Sequence, residues 1–160
     1  MSDFDESALQ TAYDTYADLL YRLALSHLQH HEDALDAVQD VFVKLVSSQK
    51  RFRDREHERA WLIRVTINRC HDLARRRSIR AHASLDELEN IADETDHLRP
   101  AVLQAVDSLD EKYKSAVILH YLEGFSVEET AFNLGLSVSA VKMRLSRARD
   151  MLKTQLLQGE

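Results

Sequence analysis

The apolar positions of this chain recur at intervals of three and four. Tyr13, Tyr16, Leu20, Leu23 and Leu28 form one series; Leu35, Val38, Phe42 and Leu45 form a second; Trp61, Val65 and Ile67 to Leu73 form a third. Such spacing lines residues up on one stripe of a helix, and it predicts three amphipathic helices over residues 8–77. The rhythm then fades. The stretch "SIRAHASLDELENIADETDHLRP" carries six acids between Asp86 and Asp96 and ends at the only proline, Pro100. Acid crowding without an apolar stripe predicts a linker. Beyond it Val102, Val106 and Leu109, then Ala116 to Leu122, Val127 to Leu134 and Val138 to Leu152 resume helical spacing. The fold class expected is all-α, with two small helical domains at 1–80 and 101–160 joined by an acidic linker at 81–100.

Composition sharpens this picture. Three glycines and one proline in 160 residues leave few places for hairpins, so helices are expected throughout. A single cysteine, Cys70, excludes an internal disulfide and suits a reducing compartment. No apolar run approaches the roughly 18 residues of a membrane span, and the acidic "MSDFDESALQ" is unlike a signal peptide. A cytoplasmic protein with no direct membrane insertion is expected.

The net charge of -6 hides an alternation. Counted as Lys and Arg less Asp and Glu, residues 1–43 carry -8, residues 44–80 carry +8, residues 81–141 carry -9 and residues 142–160 carry +3. Overall acidity therefore does not exclude a nucleic-acid partner, because two basic blocks remain to meet one.

The last block has the more specific local pattern. Ser126 followed by Glu129 is a capping-box pair opening a short helix whose inner face is Val127, Ala131 and Leu134. Gly135 permits the left-handed backbone that ends it, and Ser137 caps a second helix whose buried face is Val138, Val141, Leu145 and Ala148. The result is a helix-turn-helix. Ser139, Ala140, Lys142, Met143, Arg144, Ser146, Arg147 and Arg149 are left facing outward. Without an acid in its first turn, this helix offers free N–H groups and cations to phosphates and guanine edges. The plain alternative for a charge run, a solvated face, is disfavoured by the glycine, the serines and small Ala131 at the crossing.

Three stretches together carry a family resemblance. "LDEKYKSAVILHYLEGFSVEETAFNLGLSVSAVKMRLSRARDML" resembles region 4 of a bacterial RNA polymerase sigma factor. "DALDAVQDVFVKL" resembles region 2.2, and "RAWLIRVTINRCHDLARRR" resembles regions 2.3 to 2.4, of the extracytoplasmic function (ECF, group IV) sigma factors. The resemblance implies that residues 1–80 are a sigma region 2 bundle of three or four helices, binding core polymerase and opening the minus-ten element. It implies that residues 101–160 are a region 4 helix-turn-helix bundle reading the minus-thirty-five element. Its expected partners are core RNA polymerase, through the beta-prime coiled coil and the beta flap, promoter DNA and an anti-sigma factor.

Residue assignments follow from that resemblance. Asp33, Asp36 and Asp40 recur along one helical stripe, which suits a basic partner surface; the plain alternative is a solvated face with Phe42 in the core. The resemblance assigns the beta-prime contact to Asp36, Gln39, Asp40, Phe42 and Leu45, with Leu35 where the family often has Glu. The basic block beginning "KRFRDREHERAW" mixes cations with aromatics, suited to phosphates and stacked bases. Its minus-ten and single-strand contacts are assigned to Arg51, Phe52, Arg53, Arg55, Arg64, Asn68, Arg75, Arg76 and Arg77. Trp61 reads more readily as core than as a base platform. Minus-thirty-five contacts are assigned to Ser137, Ser139, Ala140, Lys142, Arg144, Arg147 and Arg149. Ala140 and Met143 stand where the family commonly shows Thr and Ser.

No nucleophile, phosphate loop or catalytic constellation is evident, so neither enzyme activity nor a cofactor is expected. Cys70 and His71 with His27, His30 and His31 match no zinc signature in their linear spacing, and no metal site is expected. Two other readings compete: a free-standing helix-turn-helix regulator, and a sigma-like decoy that occupies an anti-sigma protein. A repressor needs neither the acidic stripe nor the strand-binding block, and a decoy need not keep the DNA-reading cations.

Overall fold

The computed structural model describes residues 6–83 and 100–158, and all the secondary structure in them is helical. Helix α1 (Glu6–Leu28), α2 (His31–Ser48) and α3 (Arg55–Ala83) form the first half. Helices α4 (Ala101–Asp107), α5 (Glu111–Val117), α6 (Val127–Leu134) and α7 (Val138–Gln158) form the second. The backbone of α5 continues as a wider π turn over Ile118–Leu122. Most of the stretch expected as a linker, residues 84–99, lies outside the described residues, and α3 reaches Ala83, beyond the expected end of the third helix. Among the described residues no helix is long and apolar enough to cross a membrane.

The first half is a three-helix bundle whose centre takes Leu20, Leu23 and Leu45 from the expected stripes. Tyr13 and Leu35 of those stripes are exposed, Trp61 and Val65 are half-buried, and Val41, Leu62 and Ile63 take the central places instead. Leu20 and Leu23 of α1, Val41 and Leu45 of α2, and Leu62 and Ile63 of α3 are buried against one another. Two turns are made by left-handed glutamines, Gln29 after α1 and Gln49 after α2. A side chain in that conformation costs roughly 1–2 kcal/mol relative to glycine. At Gln29 the amide side chain answers part of that cost by donating to the Asp107 carbonyl at the end of α4, 3.3 Å away.

In the second half the local signals are realised atom by atom. Ser126 Oγ accepts from the Glu129 amide at 3.0 Å, while Glu129 Oε1 accepts from the Ser126 amide at 3.1 Å. At the far end of α6, Gly135 takes φ +68, its N–H donates to the Phe132 carbonyl, and the Leu136 N–H donates to the Ala131 carbonyl. That pair of bonds is the Schellman closure, and it turns the chain into α7. Ser137 Oγ then accepts from the Ala140 amide at 3.1 Å, capping α7. Val141, Leu145 and Ala148 are buried as their spacing predicts, with Val138 half-buried at the edge.

One apolar cluster runs through both halves, joining Leu20, Leu62 and Ile63 to Ile118, Leu119, Val141 and Leu145. Polar contacts reinforce this seam. Arg22 Nε on α1 lies 2.6 Å from Glu123 Oε1, and Arg59 stacks over the Phe125 ring at 4.6 Å. The fit is incomplete: Arg59 Nε on α3, and the Thr130 hydroxyl and Asn133 amide on α6, are buried without a protein partner. Each such group costs about 1–3 kcal/mol.

Candidate nucleic-acid interface

Helix α7 presents its cations on the side away from the core. Val141, Leu145 and Ala148 hold one face down, so Ser139, Lys142, Met143, Ser146, Arg147 and Arg149 are exposed and Ala140 and Arg144 half-exposed. Among the described residues Lys142 and Arg147 have no hydrogen-bond or ion-pair partner. Arg144 reaches the Lys112 carbonyl only at 3.5 Å, and Arg149 donates to the Tyr121 hydroxyl at 2.8 Å. Ser137, assigned to the same surface, is exposed but spends its hydroxyl on the cap. The first turn of α7 contains no acid, so the N–H groups not claimed by the cap carry the positive end of the helix dipole outward.

The basic block from Arg51 to Arg77 is arranged differently. Arg51, Arg53 and Arg55 are exposed around the turn into α3, where Phe52 packs on Trp61 with ring centroids 5.6 Å apart. Lys50 Nζ lies 5.7 Å from the Trp61 centroid. Trp61 is half-buried at the core's edge, between the core and platform readings. Further along α3 the cations are held by the protein itself. Arg64 donates from Nε to the Asn133 carbonyl at 3.2 Å and from Nη2 to that of Phe132, capping the negative end of α6. Arg69 pairs with Asp40 at 2.7 Å, Arg75 with Asp72 at 3.3 Å, and Arg77 with Asp33 and the Leu28 carbonyl. Asn68 and Arg76 are exposed.

On α2, Asp36, Gln39 and Asp40 form an exposed polar stripe. Phe42 and Leu45 point the other way: both lie in the core, and Leu45 has no exposed surface. They support the stripe from beneath, while Leu35 and Val43 are the exposed apolar residues of this helix. Tyr13 of α1 packs on Phe42 at 5.0 Å and is itself half exposed. Periodicity alone separates Phe42 and Leu45 from Asp36 and Asp40, since Val38, Phe42 and Leu45, at i, i+4 and i+7, trace the buried side.

The contacts between the halves had no signal in the sequence. Arg22 with Glu123 and His27 with Glu111 join residues 101 and 84 positions apart, beyond any helical spacing. Cys70, also without an assigned role, is buried between α1 and α2, and burial pushes its thiol up to about 12. It is an inert core side chain.

The chain thus pairs a helical bundle bearing an exposed acidic stripe with a helix-turn-helix bearing exposed cations. Comparison with known proteins names the class. The Sigma-70 region 2 model matches residues 12–80 and the Sigma-70 region 4 model matches residues 99–152. RNA polymerase sigma factor SigV of Bacillus subtilis is 29% identical over 94% of this chain and 92% of its own. ECF RNA polymerase sigma factor SigM of Mycobacterium tuberculosis is 31% identical over 92% of this chain and 76% of its own. SigE of Mycolicibacterium smegmatis is 32% identical over 98% of this chain but 62% of its own length. Among solved structures, CnrH in complex with the cytosolic domain of CnrY superposes with a TM-score of 0.74 at 28% identity, over 99% of this chain and 93% of that one. The sigma factor RpoE of Bartonella quintana, in complex with the anti-sigma factor NepR, gives 0.70 at 26% identity, over 92% and 95%. This chain belongs to the ECF sigma factors of the sigma-70 family.

Proposed function

We propose that this sigma factor divides its work between the two matched regions. It binds core RNA polymerase, directs it to promoters and leaves the chemistry to the polymerase. Residues 12–80 meet core polymerase through the exposed Asp36, Gln39 and Asp40 stripe and engage the minus-ten strand through Arg51, Phe52, Arg53, Arg55, Asn68 and Arg76. Residues 99–152 read the minus-thirty-five element through α7, with Lys142 and Arg147 as principal contacts and Ser139, Ala140, Arg144 and Arg149 beside them. The observation that carries this reading is the pair of exposed cations, unpartnered among the described residues, on a helix whose cap, turn and buried face are all satisfied. Work alongside the polymerase places it in the cytoplasm.

The seam between the regions supports a molecule that opens on its partner. Arg64 is occupied by α6, and three polar groups on α3 and α6 are buried unpaired, so parting the regions releases the arginine and rehydrates those groups. CnrH and RpoE were each solved with a partner chain, the latter with an anti-sigma factor. The same kind of control, by an anti-sigma protein competing with polymerase, is proposed for this chain.

Run-off transcription with purified core enzyme tests the reading. Core enzyme plus this chain is expected to yield discrete transcripts from promoters selected out of a random library, and core enzyme alone none. Failure to select any promoter while core enzyme is bound would sink the DNA assignments. Failure to bind core enzyme would sink the stripe.

A further inference from the structure

Three ligand-type side chains that the promoter reading does not use meet at the seam. His27 comes from α1, His71 from α3 and Glu111 from the first turn of α5, with their ligand atoms all within 4.8 Å of one another. Glu111 Oε2 touches Nδ1 of His27 and lies 3.4 Å from Nε2 of His71. The His27 side chain is 1% exposed and that of His71 44%, so the cluster is closed on one side and open past His71.

The hydrogen bonds around the cluster turn its ligand atoms toward one another. Ser115 Oγ lies 3.2 Å from the Glu111 carbonyl, one turn back on its own helix, and 3.1 Å from Nε2 of His27. Donating its proton to that carbonyl, the back-bond of a helical serine, it accepts from the His27 Nε2–H. With Nε2 of His27 turned to Ser115, its Nδ1 faces the Glu111 carboxylate beside Nε2 of His71. A neutral imidazole nitrogen and a carboxylate oxygen each offer a lone pair, so one cation held among these three atoms can be bound by all of them. Lys114 does not fill that place: its Nζ sits 3.8 Å from Oε1, the other carboxylate oxygen.

We propose that His27 Nδ1, His71 Nε2 and Glu111 Oε2 bind a divalent transition-metal ion, of which zinc is the representative, clasping the first bundle to the second. Two imidazoles and a carboxylate are the donor set of zinc sites with three protein ligands, water completing the shell. Ser115 is the outer partner that fixes the His27 tautomer, and Lys114 holds the second carboxylate oxygen. Ligands 44 and 40 residues apart on three helices match no linear zinc signature, which is why the sequence pointed away from a metal.

The test titrates the full chain, freed of metal by chelation, with zinc in a calorimeter and with cobalt(II) by visible absorption. One equivalent per chain is expected, with a rise in melting temperature on zinc addition. His71→Ala removes an exposed ligand and Glu111→Gln keeps the side-chain shape. Each is expected to weaken zinc binding by at least about 10-fold, since losing even an outer partner of a ligand costs about 10–100-fold. The double variant His30→Ala/His31→Ala, outside the cluster, is expected to bind as the parent does. Absence of stoichiometric binding to the parent chain overturns the proposal. So does an affinity unchanged in both His71→Ala and Glu111→Gln, or a loss confined to the double variant.

Discussion

Four cations of α3 and two of α7 carry the same charge and live in opposite circumstances. On α3, Arg64 caps α6, Arg69 holds Asp40, Arg75 holds Asp72 and Arg77 holds Asp33. On α7, Lys142 and Arg147 have no protein partner among the described residues. A nucleic-acid phosphate approaching these four arginines competes with carboxylates and carbonyls already in place, whereas one approaching Lys142 or Arg147 would displace only solvent and counterions. Parting the regions would free Arg64 alone of the four, because Arg69, Arg75 and Arg77 are held within the first bundle. Asp40 offers a second release: it belongs to the proposed polymerase stripe and is also the partner of Arg69. A partner that takes Asp40 frees a cation on α3.

The largest effect expected concerns the seam itself. Leu119 is fully buried in the cluster that spans both halves, so Leu119→Ala is expected to cost about 2–5 kcal/mol. The continuous core predicts that circular dichroism, which sums the helices of both halves, and Trp61 fluorescence, which reports on the first, lose their signals in one shared transition. Two transitions by circular dichroism, with Trp61 following only one of them, would break the comparison by making the halves independent.

Next in size is Gly135→Ala. The added Cβ would need a left-handed conformation and would meet the Arg64 guanidinium carbon at 3.2 Å. A loss of about 1–2 kcal/mol in denaturant unfolding is expected from the backbone alone. Arg64→Ala combined with it should cost less than the sum of the two, because both disturb one contact. Strict additivity would show that Arg64 does not hold α6.

How much of this was legible in the sequence follows from which signals are local. The cap at Ser126, the turn at Gly135 and the buried face of α7 are fixed by residues within one or two helical turns, and each was found. The outward face of Asp36 and Asp40 is legible in the same way, and so is the burial of Phe42 and Leu45, whose own spacing places them in the core although the resemblance assigns them to the polymerase contact. Contacts across the seam were invisible because they join residues tens of positions apart with no shared period. His27, His71 and Glu111 are the clearest case: each is ordinary in its own helix, and only the packing of α1, α3 and α5 makes them neighbours.

Cys70 supplies a smaller check. With its thiol pushed up to about 12 by burial, the thiolate fraction at pH 8 is on the order of one in ten thousand. Alkylation in the folded chain should be negligible and should appear only as the protein unfolds. Ready labelling of the native chain would mean that the packing of α1 against α2 is looser than described.

The central claim is that α7 reads DNA with cations the fold leaves free. Its most direct measurement is holoenzyme binding to a selected promoter as a function of salt, for the parent chain, Arg147→Ala and Lys142→Ala. Both side chains are exposed, so stability should change by less than about 0.5 kcal/mol. A phosphate contact predicts weaker binding to every promoter and a salt slope lower by about one unit per cation removed; a bidentate guanine contact predicts about 1–3 kcal/mol lost at one base position. Either result supports the account. Unchanged affinity, slope and base preference in both variants, at a promoter that depends on its minus-thirty-five element, would contradict it.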